Sequence, residues 1–304
     1  MKKTILLLFI VNFSLKAQDL VLNQFGQNPL TLGPQLGSSV KEQVNLGAHI
    51  WGIDKNASLY EQYFVTFNKY LVSKPDQIIS IHPVFNLERA GESRFSNQTI
   101  GIGLSTAMPL FHSGKIKHSL GAGLQPSIVR QAIDERDLRW PSQIGPGGFE
   151  PNEPGEMVSK VVYLDITAGL NYKIEFDSQH VMVGYKMGHI NRAKISTLNP
   201  QNSYRQERSH TLYALAQINI SQKLSLKPRM LYHKIGVQNN WTTGFDISTP
   251  IGKKIVLTAG GGKMKNGIFV NAGMEIGKWQ WLVLREKYDG NLYDGWEFAL
   301  NYKI

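Results

Sequence analysis

The chain contains no cysteine among its 304 residues. This absence excludes a disulfide scaffold, thiolate catalysis and a lipid anchor on a cysteine. It also suits a chain that crosses an oxidising periplasm, because no wrong disulfide can form there. After the first twenty residues the sequence also lacks any run of about 18 apolar residues, so a protein that crosses a membrane with helices is excluded.

The beginning of the chain is typical of a secretory signal peptide. A basic start, Met1-Lys2-Lys3, is followed by the apolar stretch 4–11, and Ala17 offers a cleavage point. We therefore predict a signal peptide over residues 1–17; a buried N-terminal strand is the alternative. The formal net charge is +10. In an exported protein we expect this charge to face anionic lipid head groups rather than nucleic acid.

The last nine residues alternate between apolar side chains and polar or small ones. In an extended strand one face would carry Trp296, Phe298, Leu300, Tyr302 and Ile304, and the other Glu297, Ala299, Asn301 and Lys303. Such a strand either covers the core of a soluble protein or closes a bacterial outer-membrane barrel. In the barrel the apolar face meets lipid and the polar face meets the lumen.

Segments with the same period of two recur after residue 43, separated by turn residues. They predict fourteen strands, at 44–52, 59–71, 77–88, 97–110, 115–131, 159–174, 179–190, 208–220, 222–235, 239–249, 253–264, 267–277, 279–288 and 294–304. A single-chain bacterial barrel with both ends in the periplasm requires an even number. We predict an all-β fold: one antiparallel up-and-down transmembrane β-barrel over 44–304, with long extracellular loops. An N-terminal arm, periplasmic or lumenal, precedes it over 18–43.

The lengths of the connections test this topology without reference to hydrophobicity. If the first strand runs outward, every even-numbered connection is periplasmic, and all of these are short. The odd-numbered connections include the long stretches 89–96, 132–158 and 191–207. Short inner turns and longer outer loops are the asymmetry of outer-membrane barrels. A soluble β-sandwich gives no reason for such an alternation.

Charged side chains in the predicted strands avoid the apolar stripe. An arginine or lysine facing lipid at mid-bilayer costs roughly 2–4 kcal/mol. Residues on the polar side include Asp165, Lys173, Glu275, Glu297 and Lys303. Aromatic residues near strand ends suit interfacial girdles, although aromatics are also simply common in strands. They are Trp51, Phe111, Tyr172, Trp241, Trp279, Trp281, Tyr293 and Trp296.

Two predicted outer loops carry opposite charge. Residues 132–158 hold an excess of four acidic side chains and are rich in proline and glycine. Residues 191–207 lean to the basic side through Arg192, Lys194 and Arg205. We hypothesise that the two loops pair across the barrel mouth; two independently solvated loops are the alternative.

Motifs for catalysis and metal binding are weak. The stretch Gly260-Gly261-Gly262-Lys263 lies within a predicted strand and lacks the strand–loop–helix context of a phosphate-binding loop. The eight histidines form no i, i+4 pair on a helix, so no metal site is predicted. Nothing in the sequence orders Ser209-His210 and Asp165 into a hydrolase triad. We predict a protein with neither enzymatic activity nor a cofactor.

Four stretches together carry a family resemblance. They are Gln24-Phe25 with Asn28-Pro29-Leu30; residues 118–125; Gly148-Phe149-Glu150-Pro151 continuing to 163–170; and Val183-Gly184-Tyr185 continuing to His189-Ile190-Asn191-Arg192. Through their order and spacing the chain resembles the PorP/SprF family, outer-membrane proteins of the type IX secretion system. It departs from the family pattern in the arm, where Gly33-Pro34 stands in place of a second Asn-Pro, and the match is looser near the end.

The resemblance implies a non-enzymatic barrel in the outer membrane that assists export and surface retention of cargo or adhesins with a C-terminal sorting domain. It also implies periplasmic partners in the secretion or gliding apparatus. From their position in the outer loops, we predict cargo contacts at Trp140, Phe149, Glu150, Glu153, Glu156 and Arg192. The alternatives are a porin or transporter for a small solute and an adhesin barrel without cargo.

Overall fold

The chain forms a closed antiparallel β-barrel. The computed structural model describes residues 29–52, 60–91, 95–133, 144–145, 148–149, 160–195, 204–289 and 294–304. In chain order the strands are β1 (Gln43–Trp51), β2 (Tyr60–Lys74), β3 (Gln77–Ala90), β4 (Phe95–Ser113), β5 (Ile116–Ala132), β6 (Ile144–Gly145), β7 (Gly148–Phe149), β8 (Lys160–Phe176), β9 (Gln179–Gly188), β10 (Lys194–Ile195), β11 (Tyr204–Arg205), β12 (Ser209–Ser221), β13 (Leu224–Ile235), β14 (Gln238–Ile251), β15 (Ile255–Met264), β16 (Gly267–Ile276), β17 (Trp279–Tyr288) and β18 (Asp294–Lys303).

Fourteen of these strands make the barrel, and each pairs with the barrel strand before and after it. The ring closes where β1 pairs with β18, in a register that runs from Gln43 opposite Lys303 to Trp51 opposite Gly295. The other four strands form two small hairpins, β6–β7 and β10–β11. The predicted all-β up-and-down barrel is confirmed.

Every predicted barrel strand is present, and no end differs by more than three residues. The largest differences occur in β2, which continues to Lys74, and in β4, which continues to Ser113. Both strands contain a bulge near that end, at Tyr70/Val72 in β2 and at Pro109/Phe111 in β4. An extra residue at a bulge breaks the period of two, which is why the pattern ends early in the sequence.

The outer face of the barrel is apolar and the inner face is mostly polar or small. In β4, Ile100, Ile102 and Leu104 are 63%, 52% and 50% exposed, whereas the intervening Gly101 and Gly103 are buried. The same alternation continues around the ring and leaves a broad apolar band on the outside. Soluble proteins rarely expose so large a contiguous apolar surface to water, whereas membrane barrels expose such a band to lipid.

The five charged residues predicted to avoid the apolar stripe all do so. Asp165 and Glu297 are buried on the inner face. Lys173 forms an ion pair with Glu175 at 2.5 Å, and Lys303 forms another with Glu275. The cost of exposing these charges to lipid is thereby avoided.

The connections divide by length between the two ends of the barrel. At the inner end, tight turns follow β2, β4, β8, β12, β14 and β16. Gly114, Gly252, Gly277 and Asp177 supply the positive φ that such turns require, at 59°, 67°, 60° and 53°. All the longer connections lie at the outer end. This is the predicted asymmetry.

Most predicted girdle residues within the described ranges lie on the outer face near a strand end, as an interfacial girdle requires. At the inner end Trp279 and Trp281 are 44% and 39% exposed, and Phe111 stacks on His118 at 4.1 Å. The prediction is wrong for Trp51, which shares the parity of the buried His49 and therefore points into the lumen. There it packs against Tyr288 with ring centroids 5.2 Å apart. Tyr293 lies outside the described residues.

Helical structure in the described ranges is limited to two 3₁₀ turns, Pro29–Leu32 and Pro34–Leu36. No helix there is long and apolar enough to cross a membrane. The predicted signal peptide and the first part of the predicted arm, residues 18–28, lie outside the described residues.

Candidate functional site

Residues 29–42, the described part of the predicted arm, lie inside the barrel; we call them the lumenal arm. Pro29 and Pro34 begin its two turns, where a fixed φ and a missing N–H favour tight 3₁₀ geometry. Its side chains Leu36 and Gln35 are completely buried. An N-terminal segment without a strand period therefore lies inside the lumen.

Apolar contacts hold one side of the lumenal arm. Leu32 and Leu36 form a buried cluster with inward-facing side chains of β9, β12 and β13: Met182, Tyr213, Leu215 and Leu231. Burying a leucine side chain contributes roughly 1.5–3 kcal/mol. The two leucines thus anchor the arm to the barrel wall.

The adjoining wall, on β5 and β8, accommodates the arm because it carries glycines. A Cβ at Gly123 would lie 2.4 Å from the backbone of Pro34 and Gln35, and one at Gly169 would lie 2.0 Å from the Gln35 side chain. Gly123 in β5 and Gly169 in β8 are direct partners in the sheet. The wall therefore has a recess in which the second turn of the arm sits.

Hydrogen bonds fix the backbone of the arm. The Asn68 amide donates to the carbonyls of Gly37, Val40 and Lys41 at 2.9, 3.3 and 3.2 Å. Gln35 donates to the Tyr213 hydroxyl of β12 at 3.0 Å. Buried carbonyls without partners would each cost about 1–3 kcal/mol, so these contacts select one arm position.

The base of the arm is held by Glu42. Its carboxylate accepts the Tyr70 N–H at 2.9 Å and lies 3.1 Å from the Lys69 ammonium. The Tyr70 N–H, with help from Lys69, lowers the pKa of Glu42 below its ordinary value. The ionised form of Glu42 is therefore the one that fits the docked arm.

A buried polar cluster lies on β13, β14 and β16. Arg229 of β13 forms an ion pair with Asp246 of β14, and both bond to Asn271 of β16. The Arg229 guanidinium also lies 5.2 Å from the centre of the Phe269 ring. The cluster ties three strands together from inside.

Towards the outer end, polar side chains form a belt across neighbouring strands. Each member is the direct sheet partner of the next: Glu297, His49, Gln62, Glu88, Asn97 and Gln131. Gln62 and Asn97 donate to Glu88 at 3.1 and 3.2 Å. This belt lines the approach from the outer mouth to the lumenal arm.

The connection after β9 begins by turning back over the barrel wall. His189 lies 2.9 Å from Asp165 and 3.0 Å from the Gln206 amide. Asn191 donates to the Leu164 carbonyl at 2.6 Å and accepts from the Ile166 N–H at 3.2 Å. This fixes the start of an outer loop against β8. Asp165 thus has a structural partner in His189, not in Ser209-His210.

The structure describes two of the six predicted contact residues. Arg192 is exposed in a turn at the outer mouth. Its φ is 48°, and its N–H donates to the His189 carbonyl at 3.0 Å. Phe149 belongs to β7, opposite Ile144 of β6. Trp140, Glu150, Glu153 and Glu156 lie outside the described residues. The pairing of the two oppositely charged loops and the six contacts stay predictions.

Sequence reasoning missed the recess and the belt. The recess had one signal: Gly123 and Gly169 stand at lumen-facing positions in strands of strict alternation. The belt had no signal in the sequence, because its members become neighbours only through the register of separate strands.

The comparisons with known proteins agree with this geometry. The family described as "Type IX secretion system membrane protein PorP/SprF" matches residues 14–293. No curated protein matches the chain in sequence.

Solved structures show the same fold at low identity. A FadL homologue from Pseudomonas aeruginosa is 10% identical, with a TM-score of 0.54 over 94% of this chain and 95% of that one. The CymD monoaromatic hydrocarbon channel is 10% identical, with a TM-score of 0.52 over 93% and 92%. The Ralstonia pickettii toluene transporter TbuX is 9% identical, with a TM-score of 0.51 over 90% and 92%.

Proposed function

The chain belongs to the PorP/SprF family of type IX secretion system membrane proteins, and on that premise we propose that it assists the export and surface retention of cargo. The cargo would be secreted proteins or adhesins with a C-terminal sorting domain. The family is one of secretion-system membrane proteins and not of enzymes, and we propose no catalytic role for this chain. The protein is an outer-membrane barrel, and we propose that it has secretion-system partners on both sides of that membrane.

One observation carries the proposal: the chain places its own N-terminal arm inside its lumen. The lumenal arm contacts a continuous part of the ring, from the cluster around Leu36 on β9, β12 and β13, through the recess at Gly123 and Gly169, to Asn68 of β2. A lumen so occupied supports a role in which partners bind the ends of the barrel rather than pass through it. The outer mouth would grip the cargo domain, and the inner end, where the arm enters, would meet the periplasmic apparatus.

The second candidate is a channel for a small solute. The barrels of TbuX and CymD, described as a toluene transporter and a hydrocarbon channel, have the same fold. Fold alone does not transfer a substrate. Planar-bilayer conductance separates the two roles, because a porin gives a large, steady ohmic conductance and a filled barrel does not.

Co-purification from native outer membranes tests the cargo role. We expect the tagged protein to bring down a large secreted protein whose C-terminal domain resists added protease. Deletion of the chain should leave that cargo off the cell surface. Normal display of every sorting-domain protein in the deletion strain would contradict the proposal, and lost surface binding with intact secretion would favour an adhesin.

The predicted contacts are tested in the same assay. A variant with Glu150, Glu153 and Glu156 changed to Gln, and a second with Arg192→Ala, should recover less cargo. Lys265→Gln is the matched control, because Lys265 lies in a short outer turn and bonds to Asn239 near the start of β14. Equal recovery from all variants would remove these residues from the interface while leaving the cargo role to the deletion test.

A further inference from the structure

Three metal-ligating side chains converge at the seam where the barrel closes. His49 of β1, Glu286 of β17 and Glu297 of β18 each place one ligand atom within 4.8 Å of the others. They are 7%, 0% and 1% exposed. The three residues come from three adjacent strands and face the lumen in its outer half.

The spacing fits a single small dication. His49 Nε2 and Glu286 Oε2 are 3.3 Å apart. Two ligand atoms bound to one tetrahedral Zn²⁺ at about 2.0–2.1 Å lie roughly 3.3–3.4 Å from each other. The Glu297 carboxylate, within 4.8 Å of both, offers the third ligand. A fourth position would remain for water or a further group.

The surroundings resemble those of protein metal sites. The Tyr288 hydroxyl donates to Glu286 Oε2 at 2.8 Å, which orients that carboxylate. Aromatic rings enclose the cluster: Tyr60 lies edge-on to His49 at 6.1 Å, and Trp51 lies 5.2 Å from Tyr288. A low-polarity wall of this kind strengthens metal–ligand attraction.

We propose that His49, Glu286 and Glu297 bind one transition-metal dication, with Zn²⁺ the best match. An imidazole nitrogen combined with two carboxylate oxygens suits zinc and its neighbours, whereas Ca²⁺ and Mg²⁺ take sites made of oxygen alone. The ion joins β17 to β1 across β18, so it clamps the pair of strands that closes the ring. This site is independent of the cargo role.

Metal titration of the purified full-length barrel tests the proposal. After dialysis against EDTA and re-addition of Zn²⁺ in detergent, we expect one zinc per chain by elemental analysis, retained in excess Mg²⁺ and Ca²⁺. The thermal unfolding midpoint should rise with Zn²⁺ and fall again with EDTA. Glu286→Gln and Glu297→Gln keep side-chain size and remove a charged ligand, so each should weaken zinc binding at least tenfold.

Glu88→Gln is the matched control. Glu88 is also a buried lumenal carboxylate, two strands from His49 in the same belt and bonded to Gln62. The Glu88→Gln variant should bind zinc like the unaltered chain. Heat-modifiable migration in SDS gels verifies that each variant is folded. Failure of the folded unaltered barrel to bind micromolar zinc overturns the proposal. So does zinc binding that is equal in Glu286→Gln, Glu297→Gln and Glu88→Gln.

Discussion

Gly123 of β5 and Gly169 of β8 are direct partners in the sheet, and their missing side chains leave the recess that holds Pro34 and Gln35. Because two adjacent strands contribute one glycine each, the second turn of the arm can approach the wall closely there. The barrel wall and the N-terminal arm are therefore shaped for each other.

Gly123→Ala should displace the lumenal arm. The added Cβ would lie 2.4 Å from backbone atoms of Pro34 and Gln35, and backbone cannot rotate away as a side chain can. We expect a measurable rise in single-channel conductance in planar bilayers. Gly101→Ala is the control, since its Cβ would meet Ser127 and the Pro126 carbonyl and not the arm. Equal conductance in both variants would contradict the proposed fit.

Single cysteines should report the topology without background, because the chain has none of its own. On intact cells a membrane-impermeant maleimide should label Val237→Cys, which is 82% exposed in an outer turn. Lys253→Cys in an inner turn should label only after the outer membrane is opened. Leu36→Cys, completely buried, should stay unlabelled in both. Labelling of Lys253→Cys on intact cells would reverse the orientation.

Breaking the buried Arg229–Asp246 pair should destabilise the barrel strongly. Removing one partner leaves the other charge buried, a loss of about 3–5 kcal/mol. We expect this for Arg229→Met and for Asp246→Leu in urea unfolding followed by tryptophan fluorescence, and a smaller loss for the double variant. The exposed Arg285–Asp294 pair, at 2.5 Å, is the control, and Asp294→Ala should cost at most about 1 kcal/mol. Similar losses at both pairs would show that burial does not matter here.

Docking of the lumenal arm should weaken in acid. The pKa of Glu42 is lowered in the folded protein, mainly by the Tyr70 N–H and then by Lys69. Its contribution is therefore present above the unfolded pKa and is lost as pH falls through the folded pKa. Maleimide labelling of Leu36→Cys should increase as the pH falls through the folded pKa of Glu42. Protease cleavage of the arm checks the result without a maleimide. Glu42→Gln should remove the pH dependence, and Lys69→Met should only reduce it, because the Tyr70 N–H remains.

The charge hypothesis for the two outer loops has its own test. Glu150→Gln, Glu153→Gln and Glu156→Gln together should make the loop around residues 150–156 easier to cleave, if Arg192 and Lys194 attract it. Charge reversal at Arg192 and Lys194 should have the same effect. Protection should return in a variant that reverses the charge at both sets, with Lys at 150, 153 and 156 and Glu at 192 and 194. Unchanged cleavage in every variant would favour two independently solvated loops.

The barrel itself was predictable because its physics is local. Facing lipid on one side and the lumen on the other forces a period of two, which is readable in strands such as β16. Even Pro83, which blurs the pattern of β3, did not prevent the strand from being located within two residues of its end. The parity of connection lengths then distinguished inner from outer turns.

The lumen was not predictable because its contacts are not periodic. The arm packs on residues far away in sequence, as Gln35 does with Tyr213, and no local pattern records which strand it will meet. The His49–Glu286–Glu297 cluster escaped for a related reason: its spacing in sequence is set by strand lengths, whereas metal motifs are recognised on helices and tight loops.

The position of the arm constrains the order of assembly. Gln35 bonds to Tyr213, a residue 178 positions later, and the recess needs both β5 and β8. Those docking surfaces exist only after most strands have paired, and closing so long a loop is slow. The segment that emerges early from the translocation machinery is therefore among the last to reach its native place, and until then the nascent barrel has a vacant interior.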